Sequence, residues 1–306
     1  MKWLIVILSL SICSLTFAME KGAMKRGEPD VKMTHQDIQK TFGLFPTFLK
    51  MYPESGLPAL WQEYKSVQLN PETALSGKLK QLIGIGLAAQ IPSKECNYIS
   101  TEFAKLNGAN EEEVKEAVAM AAATRHWSTY LNGIQYDDAE FHKDTNAALA
   151  YVKKEMENPN RKSEAEKAMV IVGAQSAYQD IKNTFGAVPQ WMMMVPEDFI
   201  SGAWKMMKSV QLNSHTALSG KEKELIGLAI SAQIPCKFCA YFHTEAAKLN
   251  GATDEEIRET VVVASVTRQW SAIVHGGQLD ENKFRKEVDQ MVKFVREKSS
   301  KNIGQR

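Results

Sequence analysis

The feature that most constrains this chain is that it is written twice. Shifting the sequence by 143 residues brings its two halves into register without a gap: TFG at 41–43 meets TFG at 184–186, Pro46 meets Pro189, Pro53 meets Pro196, and Trp61 meets Trp204. The stretch YKSVQLNPETALSG (64–77) meets MKSVQLNSHTALSG (207–220) with eleven of fourteen residues identical, and TRHWS (124–128) meets TRQWS (267–271). Two copies of this length do not make a solenoid array, whose repeats are short and numerous. The pattern is that of a tandem duplication, with a first copy over 30–158 and a second over 165–300.

Each copy reads as helical. Within ALSGKEKELIGLAISAQ (217–233), residues Leu218, Leu225, Ile226, Leu228, Ala229 and Ile230 form a broad apolar stripe at helical spacing. The Ile234-Pro235 step should stop that helix, since the residue before proline disfavours helical angles, and the proline then suits the first turn of a helix over roughly 236–249. Gly251 offers a left-handed stop. Thr253 reads as an N-cap, with Asp254, Glu255 and Glu256 in the first turn that follows. No alternating strand pattern is present. The expectation is an all-α fold with about six helices per copy, joined or bridged by the polar segment 153–166.

The N-terminus differs from the rest. Lys2 precedes WLIVILSLSICSLTFA, a run that ends in the small residue Ala18 with Thr16 two positions before it. That is the build of a secretory signal over 1–18, so the expected mature chain begins near Met19 outside the cytoplasm, in a periplasmic or similar compartment. Beyond it the composition is that of an ordinary globular chain, 44% hydrophobic and 24% charged. Removing Lys2 leaves 36 basic against 36 acidic residues. A balance near zero argues for no nucleic-acid or anionic-membrane partner.

Three cysteines remain after Cys13 is removed: Cys96, Cys236 and Cys239. Three is too few for a disulfide scaffold, and outside the cytoplasm a close pair can persist oxidised. Positions 236, 239 and 243 fall on one face of the helix expected there, which stacks two thiols and the His243 imidazole. A helix N-terminus and an imidazole both lower a thiol pKa, and the second cysteine can resolve an oxidised first one into a disulfide. Glu224 lies twelve residues before Cys236 on the preceding helix, where its carboxylate could orient His243 or pass it a proton. The first copy carries Gln81, Ser93 and Ser100 in place of Glu224, Cys236 and His243, and keeps only Cys96. It reads as a degenerate scaffold copy.

Glu224, eleven residues, Cys236, two residues, Cys239, three residues and His243 together resemble the motif of the alkylhydroperoxidase D-like branch of the carboxymuconolactone decarboxylase family, over roughly 35–155 and 178–300. That resemblance implies an all-helical fold and a thiol oxidoreductase or peroxidase that reduces hydroperoxides or disulfides without a cofactor. It implies Cys239 as the attacking thiol, Cys236 as the resolving one, His243 and Glu224 as the proton relay, and a separate thiol reductant. It also implies trimers or hexamers, hence here a homotrimer whose doubled chains make a pseudo-hexamer. The sequence departs from the family's pattern at Phe238, where a histidine is expected.

Other readings stay open at this stage. The cysteine pair could be a static disulfide or, with His243, part of a zinc site. The chain could belong to the non-redox decarboxylase branch, or be a module that binds a metal or a partner. His275 and Tyr241 are the candidates for supporting positions around the pair, with a place in solvent as an equal reading for His275. Arg125, Arg268, Trp127 and Trp270 recur in both copies and read as structural, with lining of the site as the alternative. WMMM (191–194), Met206 and Met207 read as packing residues.

Overall fold

The computed structural model describes residues 27–158 and 170–303. Segment 1–18, read as a secretory signal, lies outside them, as does 159–169 of the polar connection. All regular structure among the described residues is helical, as expected. The first half runs α1 (Gly27–Phe42), α2 (Leu57–Tyr64), α3 (Gly77–Gln90), α4 (Lys94–Leu106), α5 (Glu111–Gly133) and α6 (Asp138–Glu157). The second runs α7 (Gly173–Phe185), the single turn α8 (Gln190–Met193), α9 (Glu197–Val210), α10 (Gly220–Gln233), α11 (Lys237–Leu249), α12 (Asp254–Gly276) and α13 (Glu281–Ile303). Helices α3, α4 and α5 recur as α10, α11 and α12 with the same lengths and the same 143-residue offset.

Local chemistry fixes the boundaries. Thr253 caps α12 in a reciprocal capping box with Glu256, and Asn110 and Glu113 do the same for α5. Gly251 takes φ 82°, the left-handed stop expected of it. Two expectations are corrected. Helix α10 starts at Gly220 rather than 217, because the Ser219 hydroxyl caps it by accepting the Glu222 N–H. Pro235 is not in the first turn of α11: that helix begins at Lys237, and the sulfur of Cys236 occupies its cap.

The two halves do not pack as separate bodies. Helix α6 packs on α11 and α7 of the second half, and α13 packs on α4 and α1 of the first. One core therefore joins Trp127, Leu131 and Phe141 to Trp191, Trp204 and Cys239, and another joins Phe42, Trp61 and Cys96 to Val274, Phe284 and Met291. A third, between them, gathers Leu82, Ile83 and Ile85 of α3 with Leu225, Ile226 and Ala229 of α10. Gly86 lets α3 approach α10 closely, since a Cβ there would lie 3.2 Å from the Ile230 side chain.

Polar ties cross the same boundary. The fully buried Lys80 pairs with Glu259 at 3.1 Å, and its counterpart Lys223, equally buried, lies 3.8 Å from Glu116. Each lysine also donates to a loop carbonyl and a threonine, Asn70 and Thr73 in one half, Asn213 and Thr216 in the other. Each glutamate accepts backbone N–H groups of the opposite half, Glu259 from Leu75 and Glu116 from Ala217 and Leu218. A buried ammonium is tolerated when acceptors and an opposite charge stand close to it. The doubled tryptophans have a shared task as well. Trp61 donates to Asp37 and Trp204 to Asp180, each at 2.7 Å, which pins the first helix of each half to the core.

Candidate active site

The site is built where α10, α11 and α5 meet. Cys236 and Cys239 form a disulfide across the first turn of α11, with Cα atoms 5.4 Å apart. The Cys239 N–H donates to the Cys236 sulfur at 3.2 Å, the bond that an N-cap side chain normally accepts. In the first half Ser93 makes the corresponding bond to the Cys96 N–H at 3.2 Å. Serine is an ordinary cap and sulfur a weak acceptor. Capping alone therefore does not account for a cysteine at 236.

His243 projects from α11 one turn beyond Cys239. Its Nδ1 lies 2.6 Å from the Glu224 carboxylate on α10, and its Nε2 lies 3.2 Å from the Thr124 hydroxyl on α5. With the Nδ1 proton donated to Glu224, the free Nε2 lone pair accepts from Thr124. Glu224 is further bound by the Gln211 side-chain amide, at 3.1 Å and 3.3 Å to its two oxygens. All four groups are buried. The ring fits because residue 227 is glycine: a Cβ there would collide with the imidazole. No hydrogen bond joins His243 to either sulfur. The link between them is a shared cavity of about 30 Å³, whose walls include Cys239, His243, Thr124, Gln211, Trp127 and Phe242.

Several expectations are met here and others are corrected. Glu224 and His243 are in contact as the spacing suggested. A cysteine at a helix entrance is commonly the more accessible of such a pair, but Cys236 is 1% exposed and Cys239, at 5%, is the one on the cavity wall. The helix turn rotates residue 236 into the core under its own cap. His275 is exposed near the end of α12, a helix whose Thr267 and Trp270 face the first half's cavity, so it does not support the thiols. Tyr241 points away from the pair, donating to Asn146 at 2.8 Å and stacking on His142. Phe238, where the motif resembled here has a histidine, is buried against Phe141 and offers no proton path.

Thr124, Gln211, Gly227 and Trp127 were not singled out for the site by sequence reasoning. Gln211 and Thr124 each lie in a stretch identical in both copies, and that identity was the available signal. Trp127 is buried in the second half's cavity and Trp270 lines the first half's, so each doubled TR-x-W stretch serves the opposite half. Arg125 and Arg268 are exposed, and Arg268 bonds only Ser271 of its own helix.

The cavity lined by Cys96 is the counterpart. There Gln81 donates to Gln68 at 3.3 Å where Glu224 meets Gln211, and Ser100 stands where the imidazole would be. Burial pushes the Cys96 thiol up to about 11, so it stays protonated.

Known proteins set this geometry in context. A 62-residue stretch is 34% identical to a Paracoccus denitrificans protein described as uncharacterized protein 4 in the cox locus, covering 20% of this chain and 56% of that relative. The chain thus spans about half the length of the curated relative it matches. A crystal structure from Burkholderia xenovorans, described as that of a candidate gamma-carboxymuconolactone decarboxylase subunit, superposes with a TM-score of 0.55 at 17% identity. That likeness covers 89% of this chain and 99% of the other, and it establishes a shared fold. Residues 202–279 match the carboxymuconolactone decarboxylase family profile. In the half that carries Glu224, Cys236, Cys239 and His243, this chain is similar to the carboxymuconolactone decarboxylase family over residues 202–279.

Proposed function

We propose that the protein is a thiol oxidoreductase that reduces small hydroperoxides or disulfides by cycling Cys236 and Cys239 between dithiol and disulfide. The observation that carries this reading is the position of Cys239: one sulfur of a vicinal pair opens onto a cavity shared with a carboxylate-anchored imidazole. In the reduced protein the Cys239 thiolate attacks the terminal peroxide oxygen. The S–O bond forms as O–O breaks, and the leaving alkoxide takes a proton to become an alcohol. Cys236 then attacks the sulfenic acid, forming the disulfide and releasing water. An external dithiol returns two electrons and two protons. The His243–Glu224 pair holds the proton removed from Cys239 and returns it to the leaving oxygen.

Titrating the thiols of the fully reduced protein before and after one equivalent of hydroperoxide tests the reading. Two thiols should disappear per peroxide consumed, and retention of both would refute it. The family description also supports a second reading, a decarboxylase-like enzyme acting on a lactone or related acid. Such an activity has no use for a cysteine pair, so turnover of a lactone acid that survives Cys236→Ser together with Cys239→Ser would favour it.

We further propose that the chain is exported after cleavage near Met19 and assembles as a homotrimer. Equivalent positions of the two halves carry exposed apolar side chains, Met51 with Met194 and Val118 with Val261, which supports a contact surface repeated twice per chain. An intact Met1 on protein from the native host would overturn export. A stable monomer in light scattering would overturn the trimer.

A further inference from the structure

The cavity of the first half is the larger of the two, about 50 Å³ against 30 Å³, although its redox groups are gone. Scaffolding alone gives no reason to keep it open. Its walls are aromatic, including Phe42, Phe48, Trp270 and Phe284, and none of the residues around it carries a charge. With Gln81 and Ser100 in place of a carboxylate and an imidazole, its chemistry is neutral where that of the second site is ionic.

Three polar groups in that wall lack a protein partner on at least one atom, and the Trp270 indole N–H is one of them. Ser100 is 7% exposed and its hydroxyl makes no hydrogen bond within the protein. Gln81 is 8% exposed and uses its amide N–H on Gln68, which leaves its Oε1 oxygen unengaged. Buried polar groups are normally paired, so an unmet hydroxyl and an unmet carbonyl in one small apolar cavity call for a ligand able both to donate and to accept.

We propose that the first-half cavity is a binding site for a short neutral hydroxyl compound, an aliphatic alcohol in chemical class, that donates to Gln81 Oε1 and accepts from the Ser100 hydroxyl. A carboxylate or an ammonium is excluded because nothing in the wall compensates its charge. Size sets the tail: at about 10–15 Å³ per water-sized group, the cavity holds three to five non-hydrogen atoms. That is ethanol to butanol. The Cys96 thiol beside the ligand stays protonated, so the site holds its guest without turning it over. This inference stands whether or not the second half is a peroxidase.

The test uses the full chain labelled at its methionine methyl groups, because Met291 lines the first cavity and Met207 the second. Butan-1-ol should shift the Met291 methyl signal saturably in the millimolar range, with butyrate and butylammonium at least tenfold weaker. Ser100→Ala should weaken the butanol response about three- to tenfold, the usual loss for one hydrogen bond. Ser100→Leu, which fills the cavity, should abolish it, while an unchanged Met207 signal certifies the fold. Should Ser100→Leu prove unstable, Gln81→Leu provides the second variant, with the same expected loss. A Met291 shift that is absent in the wild type, indifferent to these substitutions, or equal for butyrate would overturn the proposal.

Discussion

The Thr124 hydroxyl lies 3.2 Å from Nε2 of His243, so an imidazole of the second half is held at one edge by a residue 119 positions earlier, in the first. The other edge is held by Glu224 at 2.6 Å. Neither half alone contains the full set of contacts. Thr124→Val keeps the shape and removes the hydroxyl, leaving Nε2 without its partner. Hydroperoxide consumption by this variant should fall about five- to tenfold, one lost hydrogen bond. Thr124→Ser should recover most of the rate, and a Val variant as fast as wild type would detach Thr124 from the site.

The geometry sets up a contest between the two sulfurs. Cys239 meets the cavity and shares it with His243, while Cys236 receives the Cys239 N–H at the positive end of α11. Access favours attack by Cys239; the cap favours the thiolate on Cys236. We expect access to decide. Cys239→Ser should abolish consumption, whereas Cys236→Ser should permit one stoichiometric reaction and trap a sulfenic acid on Cys239. Cys96→Ser should be neutral. Alkylation rates of the two single variants against pH give both thiol pKa values, and a fully active Cys239→Ser protein would reverse the roles.

Gly227 is where α10 makes room for the imidazole, since any Cβ would overlap the ring. Gly227→Ala should displace His243 and break its bond to Glu224. The expected result is loss of most activity, on the order of a hundredfold, with helix content retained in circular dichroism. In the first half Gly84 faces the smaller Ser100. Gly84→Ala should therefore cost less, and equal losses from the two substitutions would remove the steric explanation.

Acid should loosen the tie between the halves. Burial pushes the Glu116 carboxyl up, but the backbone N–H groups of Leu218 and Ala217 outweigh it and hold the group below its ordinary 4.5. Glu259 is likewise held below 4.5: burial raises it, while Thr73, the Leu75 N–H and Lys80 lower it further. A carboxylate depressed in the folded state stabilises it above the unfolded value and loses that stabilisation as pH falls through the folded one. Melting temperature should therefore drop below pH 4.5, and less steeply in the Glu116→Gln, Glu259→Gln double variant. At neutral pH Glu116→Ala leaves the buried Lys223 without its counter-ion and should cost about 3–5 kcal/mol. A double variant with an unchanged acid slope would exclude these carboxylates as the cause.

Much of this architecture is local, and local features are what a sequence states. The all-α class, the end of α11, the α12 boundaries, the Thr253 cap and the Gly251 stop follow from helical periodicity and capping chemistry acting over a few residues. The alignment of Cys236, Cys239 and His243 on one face follows from 3.6 residues per turn, and Glu224 was reachable because a tight proline turn leaves α10 and α11 antiparallel. The exchange of α6 and α13 between halves was not legible, because a repeat states which elements exist and not which copy each one packs against. The same limit hid Thr124, Gln211 and Trp127, whose contacts depend on long-range packing. It also left the exposure of Cys236 and His275 undecided, since exposure is settled by neighbours from distant helices. In this chain the sequence determined the helices and the reactive face; only the tertiary structure decided that the face is completed from the opposite half, because burying one apolar stripe per helix admits several pairings and the buried ion pairs fit one of them.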